Sequence, residues 1–209
     1  MKALVHRLAV ECRHRGPVGF IQFIALRLVQ WRGDVLYECD LRAARAGGAE
    51  QGRTIVTVDR NNVGSEASRH VEDRILAGGN HVYADALRAD AVMLAALDEG
   101  QVAGYAFIIH ASFYKRILGE TDATPMICNC HTFPEYRGQG VYPMLLAAAC
   151  RHLAASGYTR VIITCAPDNL SSVRGIEKAG FRKVKTLRSL ILFARWIASQ
   201  RETLPVPTR

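Results

Sequence analysis

Six consecutive residues, Arg137-Gly138-Gln139-Gly140-Val141-Tyr142, set a cation, two glycines and a phenol between an apolar run that begins at Met126 and an alanine-rich run over 144–155. Glycine lets the backbone turn sharply and lets a ligand come close. A helix that starts just beyond such a turn opens with N–H groups that have no partner inside the helix. Together with the helix dipole, those groups hold an anion, above all a phosphate. Pro143 fits the first helical turn, where it gives up only an N–H that would be unpaired anyway. The cradle must then be built from the amides of Gly138, Gln139, Gly140, Val141 and Tyr142. Around it stand groups able to move a proton. His131 is the nearest imidazole, and neutral histidine is the usual acceptor near pH 7. Its other reading is a satisfied histidine on the far face of a strand. Tyr142, Ser171 and Ser172 are the nearest hydroxyls.

The elements that must position these groups follow from periodicity. The run over 125–133 reads as a strand, the glycine turn as a bend, 144–155 as a helix and 160–166 as a second strand. This is one βαβ unit with parallel strands and a right-handed crossover. Upstream, 92–97 and 102–111 flank Asp98-Glu99-Gly100-Gln101 and read as a β-hairpin. Segments 35–40 and 54–58 read as further strands, and 113–124 as a polar turn. Strict alternation in the central strand places Met126, Cys128, Cys130 and Thr132 on one face, and Ile127, Asn129, His131 and Phe133 on the other. Downstream, Asp168 or Asn169 caps a helix over 171–179, and Gly180 stops it. Two strands follow, over 181–184 and 189–193. The expected fold is α/β (α+β): a mixed, mostly antiparallel sheet with a central parallel βαβ unit and helices on both faces.

The stretch 132–142 resembles the pyrophosphate loop of the GNAT superfamily of acyl-CoA-dependent N-acyltransferases, which reads Arg or Gln, two residues, Gly, one residue, then Gly or Ala. Asp168-Asn169-Leu170-Ser171-Ser172 and Glu177-Lys178-Ala179-Gly180-Phe181 resemble the second half of that family's core, so the likeness runs from about residue 90 to 190. Two positions depart from the pattern. Tyr142 stands where the family usually has Gly or Ala, and Ile176 stands where many members place a tyrosine that protonates the leaving thiolate. The resemblance implies direct transfer of an acyl group from acetyl-CoA or another acyl-CoA to the amine of a small metabolite or amino sugar, without a metal. It assigns cofactor contacts to Thr132, Arg137, Gly138, Gln139, Gly140, Val141, Tyr142, Asn169 and Ser172. Tyr142 is the candidate acid and His131 the candidate base. The competing reading is a non-catalytic acyl-CoA-binding or membrane-surface module.

The chain of 209 residues suits a single domain, with a helical N-terminal extension over 1–33 and a frayed tail over 201–209. Phe20, Ile21, Ile24, Leu28 and Trp31 recur at helical spacing, with Arg27 and Arg32 beside them. That face either packs on the sheet or, with residues 17–32, touches a membrane or a lipid-linked substrate. A second copy of the chain is the other partner left open. The formal net charge of +8 favours an anionic partner, and coenzyme A satisfies it. Nucleic acid is not expected, because the arginines are spread out and lack interleaved aromatics. None of the six cysteines forms a Cys-x-x-Cys pair, so no metal is expected and a reduced, cytoplasmic setting is the simple reading.

Overall fold

A computed structural model of the chain describes residues 29–42, 52–77, 90–192 and 195–204. Its strands are β1 Val29–Asp40, β2 Thr54–Val58, β3 Val92–Asp98, β4 Gln101–Ile109, β5 Met126–Thr132, β6 Arg160–Cys165, β7 Arg182–Leu192 and β8 Arg195–Thr203. Its helices are α1 Glu66–Ala77, α2 Phe113–Leu118, α3 Val141–Ala155 and α4 Leu170–Lys178, with a 3₁₀ turn at Pro134–Tyr136. The strands form one sheet in the order β2-β3-β4-β5-β6-β1-β7-β8. The β5–β6 pair is parallel and the other pairings are antiparallel, which is the mixed sheet that the sequence leads one to expect.

Both faces of the sheet are covered. On one, Leu145, Leu146, Ala149 and Leu153 of α3 and Ile176 of α4 pack over Ile108, Ile127, Val161 and Ile163. On the other, Val71 and Ile75 of α1 pack with Met93, Phe107 and Phe133, while Leu118 of α2 meets Leu36, Met126 and Ile162. Burying each such aliphatic side chain contributes about 1.5–3 kcal/mol, so the parallel strands that flank the glycine turn are anchored by core packing on both faces.

Several boundaries differ from the sequence reading. The proposed helical extension over 1–33 cannot reach 33. Residues 1–28 lie outside the described residues, and Val29 already begins β1, where its partner in register is Leu192 of β7. Pairing along twelve residues outweighs the helical spacing ending at Trp31, whose side chain is exposed. The frayed tail is likewise shortened. Arg201, Glu202 and Thr203 are paired with Leu187, Thr186 and Lys185 across β8 and β7, and residues 205–209 lie outside the described residues. The two separate strands expected over 181–193 are one strand, β7. Part of the polar turn expected over 113–124 is instead helix α2, capped by Ser112, whose hydroxyl accepts from the Lys115 N–H. Among the described residues no helix is long and apolar enough to cross a membrane.

The central strand also departs from strict alternation. Asn129 has φ 48°, a left-handed conformation that asparagine tolerates better than most residues. Here the register slips: Phe107 faces Cys128, but Tyr105 faces His131, so β5 carries a bulge. The faces therefore exchange after 129. Ile127 and Cys130 share the α3 side, whereas Met126, Cys128 and Phe133 lie on the opposite side. His131 follows Phe133, against whose ring it packs edge-on at 5.0 Å.

Candidate active site

The parallel pairing of β5 with β6 covers only Met126↔Ile162 and Ile127↔Ile163. Beyond these residues the strands part, and the edge of β5 from Cys130 to Thr132 loses its neighbour on that side. A cleft of about 660 Å³ opens there, between that edge, the glycine turn and the flank of α4. Close approach of β4 supports the bulged edge from behind. A Cβ on Gly104 would stand 2.6 Å from the His131 carbonyl oxygen, so only glycine lets β4 come this near.

The glycine turn leads straight into α3 and leaves the first N–H groups of that helix open. Gly138 and Gly140 have φ 78° and 77°, the left-handed region that residues with a Cβ avoid. Gly140 is the residue that caps α3, and it supplies no side chain to the N–H groups of the first turn. Arg53 fixes the loop from outside. Its guanidinium donates to the Gln139 carbonyl at 3.0 Å and to Gln139 Oε1 at 2.9 Å, while an ion pair at 2.9 Å joins it to Asp98. In a trans peptide the N–H points opposite to the C=O. With the Gln139 carbonyl turned toward Arg53, the Gly140 N–H is directed the other way. Thr132, Arg137, Gly138, Gly140, Val141 and Tyr142 all line the cleft. Gln139 does not. Its side chain is taken up by Arg53 and, through Nε2, by the Glu135 carbonyl at 2.9 Å.

Tyr142 lies across the floor between α3 and α4. A Cβ on Gly175 would stand 2.4 Å from Tyr142 Cδ1, so the ring occupies the space that a side chain at 175 would need. The neighbouring Ile176 is wholly buried in the core. Burial pushes the Tyr142 phenol far above its ordinary pKa. Cys130 and Cys165 push the same way, and a hydrogen bond with Ser172 opposes them. The phenol therefore keeps its proton at any ordinary pH and serves as a donor.

His131 stacks on Tyr105 at 5.5 Å between ring centroids. Burial lowers its pKa below 6.5, the nearby Arg137 lowers it further, and Glu135 opposes both. The imidazole is thus neutral near pH 7. Burial also pushes the Cys128 thiol up to about 12 and raises that of Cys130, so neither is a ready thiolate. Among the described residues no cluster of His, Cys, Asp and Glu is arranged to hold a metal ion.

The structure brings most of the sequence-selected residues together and leaves two out, Gln139 and Asn169. Asn169 is the cap of α4: its Oδ1 accepts from the Ser172 N–H at 3.2 Å and from the Ser171 hydroxyl at 2.9 Å. It does not line the cleft, while Ser171 and Ser172 do. Sequence reasoning missed Arg53, Arg174, Gly175 and Lys178. Arg53 carries no local signal, because its partner Gln139 is 86 residues away. The other three had one, since Ser171, Arg174, Gly175 and Lys178 recur at the spacing of a single helical stripe.

A parallel strand pair that parts beside a glycine turn at a helix start, set in an otherwise antiparallel sheet, is the arrangement of the GNAT fold. The profile of the Acetyltransferase (GNAT) family matches residues 59–181, and the chain belongs to that family. No curated protein matches the chain. Among solved structures, a functionally unknown conserved protein from Staphylococcus epidermidis is similar with TM-score 0.51 and 15% identity, covering 80% of this chain and 64% of its own. A GNAT-family acetyltransferase from Colwellia psychrerythraea gives TM-score 0.50 and 14% identity, over 79% of this chain and 59% of its own. A glucosamine N-acetyltransferase region of a fungal multi-domain β-N-acetylglucosaminidase gives 0.53 and 12%, over 81% of this chain and 22% of that protein. At such identities the likeness is one of fold, and the chain spans less than two thirds of the length of each.

Proposed function

We propose that the chain transfers an acyl group, acetyl in the simplest case, from coenzyme A to the amine of a small metabolite or amino sugar by direct attack. The observation that carries this reading is the unpaired edge of β5 at Cys130–Thr132 ending on the cradle of Gly138 to Tyr142. The fit to a diphosphate is physical. Among the described residues the N–H groups of Gly138, Gln139 and Gly140 have no acceptor, and Arg137 stands on the same rim. When bound, the acyl-CoA supplies the activated thioester.

The chain's own groups do the rest. The open edge of β5 near Thr132 offers N–H and C=O groups to an extended arm, as an added strand would, and an N–H there polarises an acyl carbonyl. Tyr142 donates a hydrogen bond at the sulfur. A thiol has pKa near 8.5, and the phenol lies well above this, so Tyr142 stabilises the departing thiolate without giving up its proton for good. The neutral His131 accepts the proton of the amine, directly or through water.

Thiol release from acetyl-CoA, followed over a panel of amino sugars, polyamines and amino acids, tests the proposal. Amine-dependent release that falls about a hundredfold or more in Tyr142→Phe supports it. Tight binding of acetyl-CoA without thiol release by any amine refutes the enzymatic reading in favour of a binding module.

A further inference from the structure

The fold brings two thiols that are far apart in the sequence together beneath α3. Cys39 stands near the end of β1, opposite Val161 of β6. Residues directly opposite each other in an antiparallel pair point to the same face. Val161 is wholly buried in the core that α3 covers, so the Cys39 side chain is aimed at that helix. Cys150 lies on the buried flank of α3, one helical turn beyond Leu146. Backbone bonds fix the two elements to each other through the start of β6. The Tyr158 N–H donates to the Leu153 carbonyl at the end of α3, and the Leu41 N–H donates to the Thr159 carbonyl, both at 3.0 Å. Cys39 and Cys150 belong to the same buried cluster, and their thiols are hydrogen-bonded to each other.

The other thiols among the described residues are placed differently. Cys128 and Cys130 lie on opposite faces of β5, with Cys130 Sγ turned to the Cys128 carbonyl at 3.7 Å. Cys165 is hydrogen-bonded with Tyr37. In the Cys39–Cys150 pair, the Cys150 S–H donates to the Cys39 sulfur and holds the Cys39 thiol below its ordinary pKa, against burial and the carboxylates of Asp40 and Glu38. The same bond, together with burial, keeps the proton on Cys150. A thiolate is the reactive form of cysteine, so one partner is set up to attack and the other stands in contact to follow. The pair lies just beneath the surface. Cys39 is 6% exposed and Cys150 5%, and Asp40, Arg42 and Ala154 around them are exposed.

We infer that Cys39 and Cys150 are the site of a reversible disulfide, formed when a peroxide oxidises the pair, which staples α3 to β1. The Cys39 thiolate attacks one oxygen of hydrogen peroxide. The O–O bond breaks, one water leaves, and Cys39 becomes a sulfenic acid. The Cys150 sulfur then attacks the Cys39 sulfur. The S–S bond forms, the S–O bond breaks, and a second water leaves. The two thiols together give up two protons and two electrons, and the peroxide takes up both. A dithiol reverses the step by thiol–disulfide exchange.

The test is peptide mapping of the folded, full-length wild-type chain after treatment with hydrogen peroxide, alkylation and digestion without reductant. The expected product is a Cys39-containing peptide joined to a Cys150-containing peptide, which separates on adding dithiothreitol. A bond that closes a loop of about 100 residues should raise Tm by about 4–16 °C, and dithiothreitol should abolish the gain. Cys150→Ser should show neither the joined peptides nor the gain. Recovery of Cys39 and Cys150 as alkylated thiols after peroxide, their conversion to sulfinic or sulfonic acids without a bond, or a bond from either to a different cysteine overturns the inference. A gain in Tm that survives in Cys150→Ser overturns the staple. The mapping is made on the wild-type chain, so it decides the matter even where a variant fails to fold.

Discussion

Replacing Gly175 by alanine separates two effects that act in opposite directions. In a helix interior, alanine is favoured over glycine by about 0.8–1 kcal/mol. At 175, however, the new Cβ would lie 2.4 Å from Tyr142 Cδ1 and 2.8 Å from Cε1. Carbon atoms make their best contacts at about 3.5–4.0 Å, so the ring must retreat by about 1 Å. It is hemmed in by the core behind it, and such overpacking costs about 1–3 kcal/mol. Taking the upper part of that range, Gly175→Ala loses about 2 kcal/mol net. For a chain of this length that lowers Tm by about 4–8 °C. In a Tyr142→Ala background the obstacle is absent, and the same substitution should gain about 1 kcal/mol. The sign reversal, measured by thermal and urea unfolding of the four proteins in the cycle, is the signature of the contact. Equal effects of Gly175→Ala in both backgrounds would falsify the placement of the Tyr142 ring over Gly175.

Arg53→Ala removes the anchor of the phosphate loop, and the dissociation constant for coenzyme A should rise about tenfold, since hydrogen bonds to charged groups are worth about 1.5–3 kcal/mol each; titration that gives an unchanged constant would show that the loop holds its shape unaided. Gly104→Ala brings a Cβ within 2.6 Å of a backbone oxygen that has no side-chain freedom to yield; it should lower Tm by about 5 °C or more and loosen cofactor binding, and a wild-type melting curve would contradict the close approach of β4 to the bulge. For His131 the active form is neutral and its pKa is lowered, so kcat/KM should hold as pH falls through 6.5 and decline only below it. A decline centred above 6.5, or an acid limb unchanged in His131→Gln, would assign the proton acceptor elsewhere.

The features legible in the sequence are those that a short stretch decides for itself. A glycine at positive φ needs no distant partner, so Gly138 and Gly140 could be read as a turn, and the helix after them as its consequence. The βαβ unit and the β3–β4 hairpin are likewise written in adjacent residues. The bulge was hidden because both registers of β5 bury apolar side chains: shifting by one after Asn129 exchanges Cys130 and Thr132 for His131 and Phe133, and composition cannot choose between them. The place of β1 was hidden for a different reason. It lies between β6 and β7, and its contact from Glu38 to Arg160 spans 122 residues. Nothing in 29–40 names such a partner, and the amphipathic spacing before it suggested a helix running to 33. Arg53 belongs with β1, as a residue whose role appears only when the fold brings the loop to it.

The two departures from the family pattern turn out to be one arrangement. Ile176 occupies a position on α4 with no exposed surface, where a phenol would have to bury its hydroxyl in an apolar core at a cost of about 1–3 kcal/mol without a partner. Tyr142 reaches the cleft instead from the first turn of α3, and Gly175, the residue just before Ile176, leaves the space for its ring. Under the proposed function, the donor at the sulfur rides on the same helical turn as the glycine loop, rather than on the helix across the cleft. One consequence is mechanical. On that reading α4 supplies no catalytic group, and the stripe that faces the cleft is made of Ser171, Arg174, Gly175 and Lys178. The exchange of a tyrosine on one helix for a tyrosine on the other thus joins, through a single packing contact, the unusual loop residue to the position beside the unusual core residue.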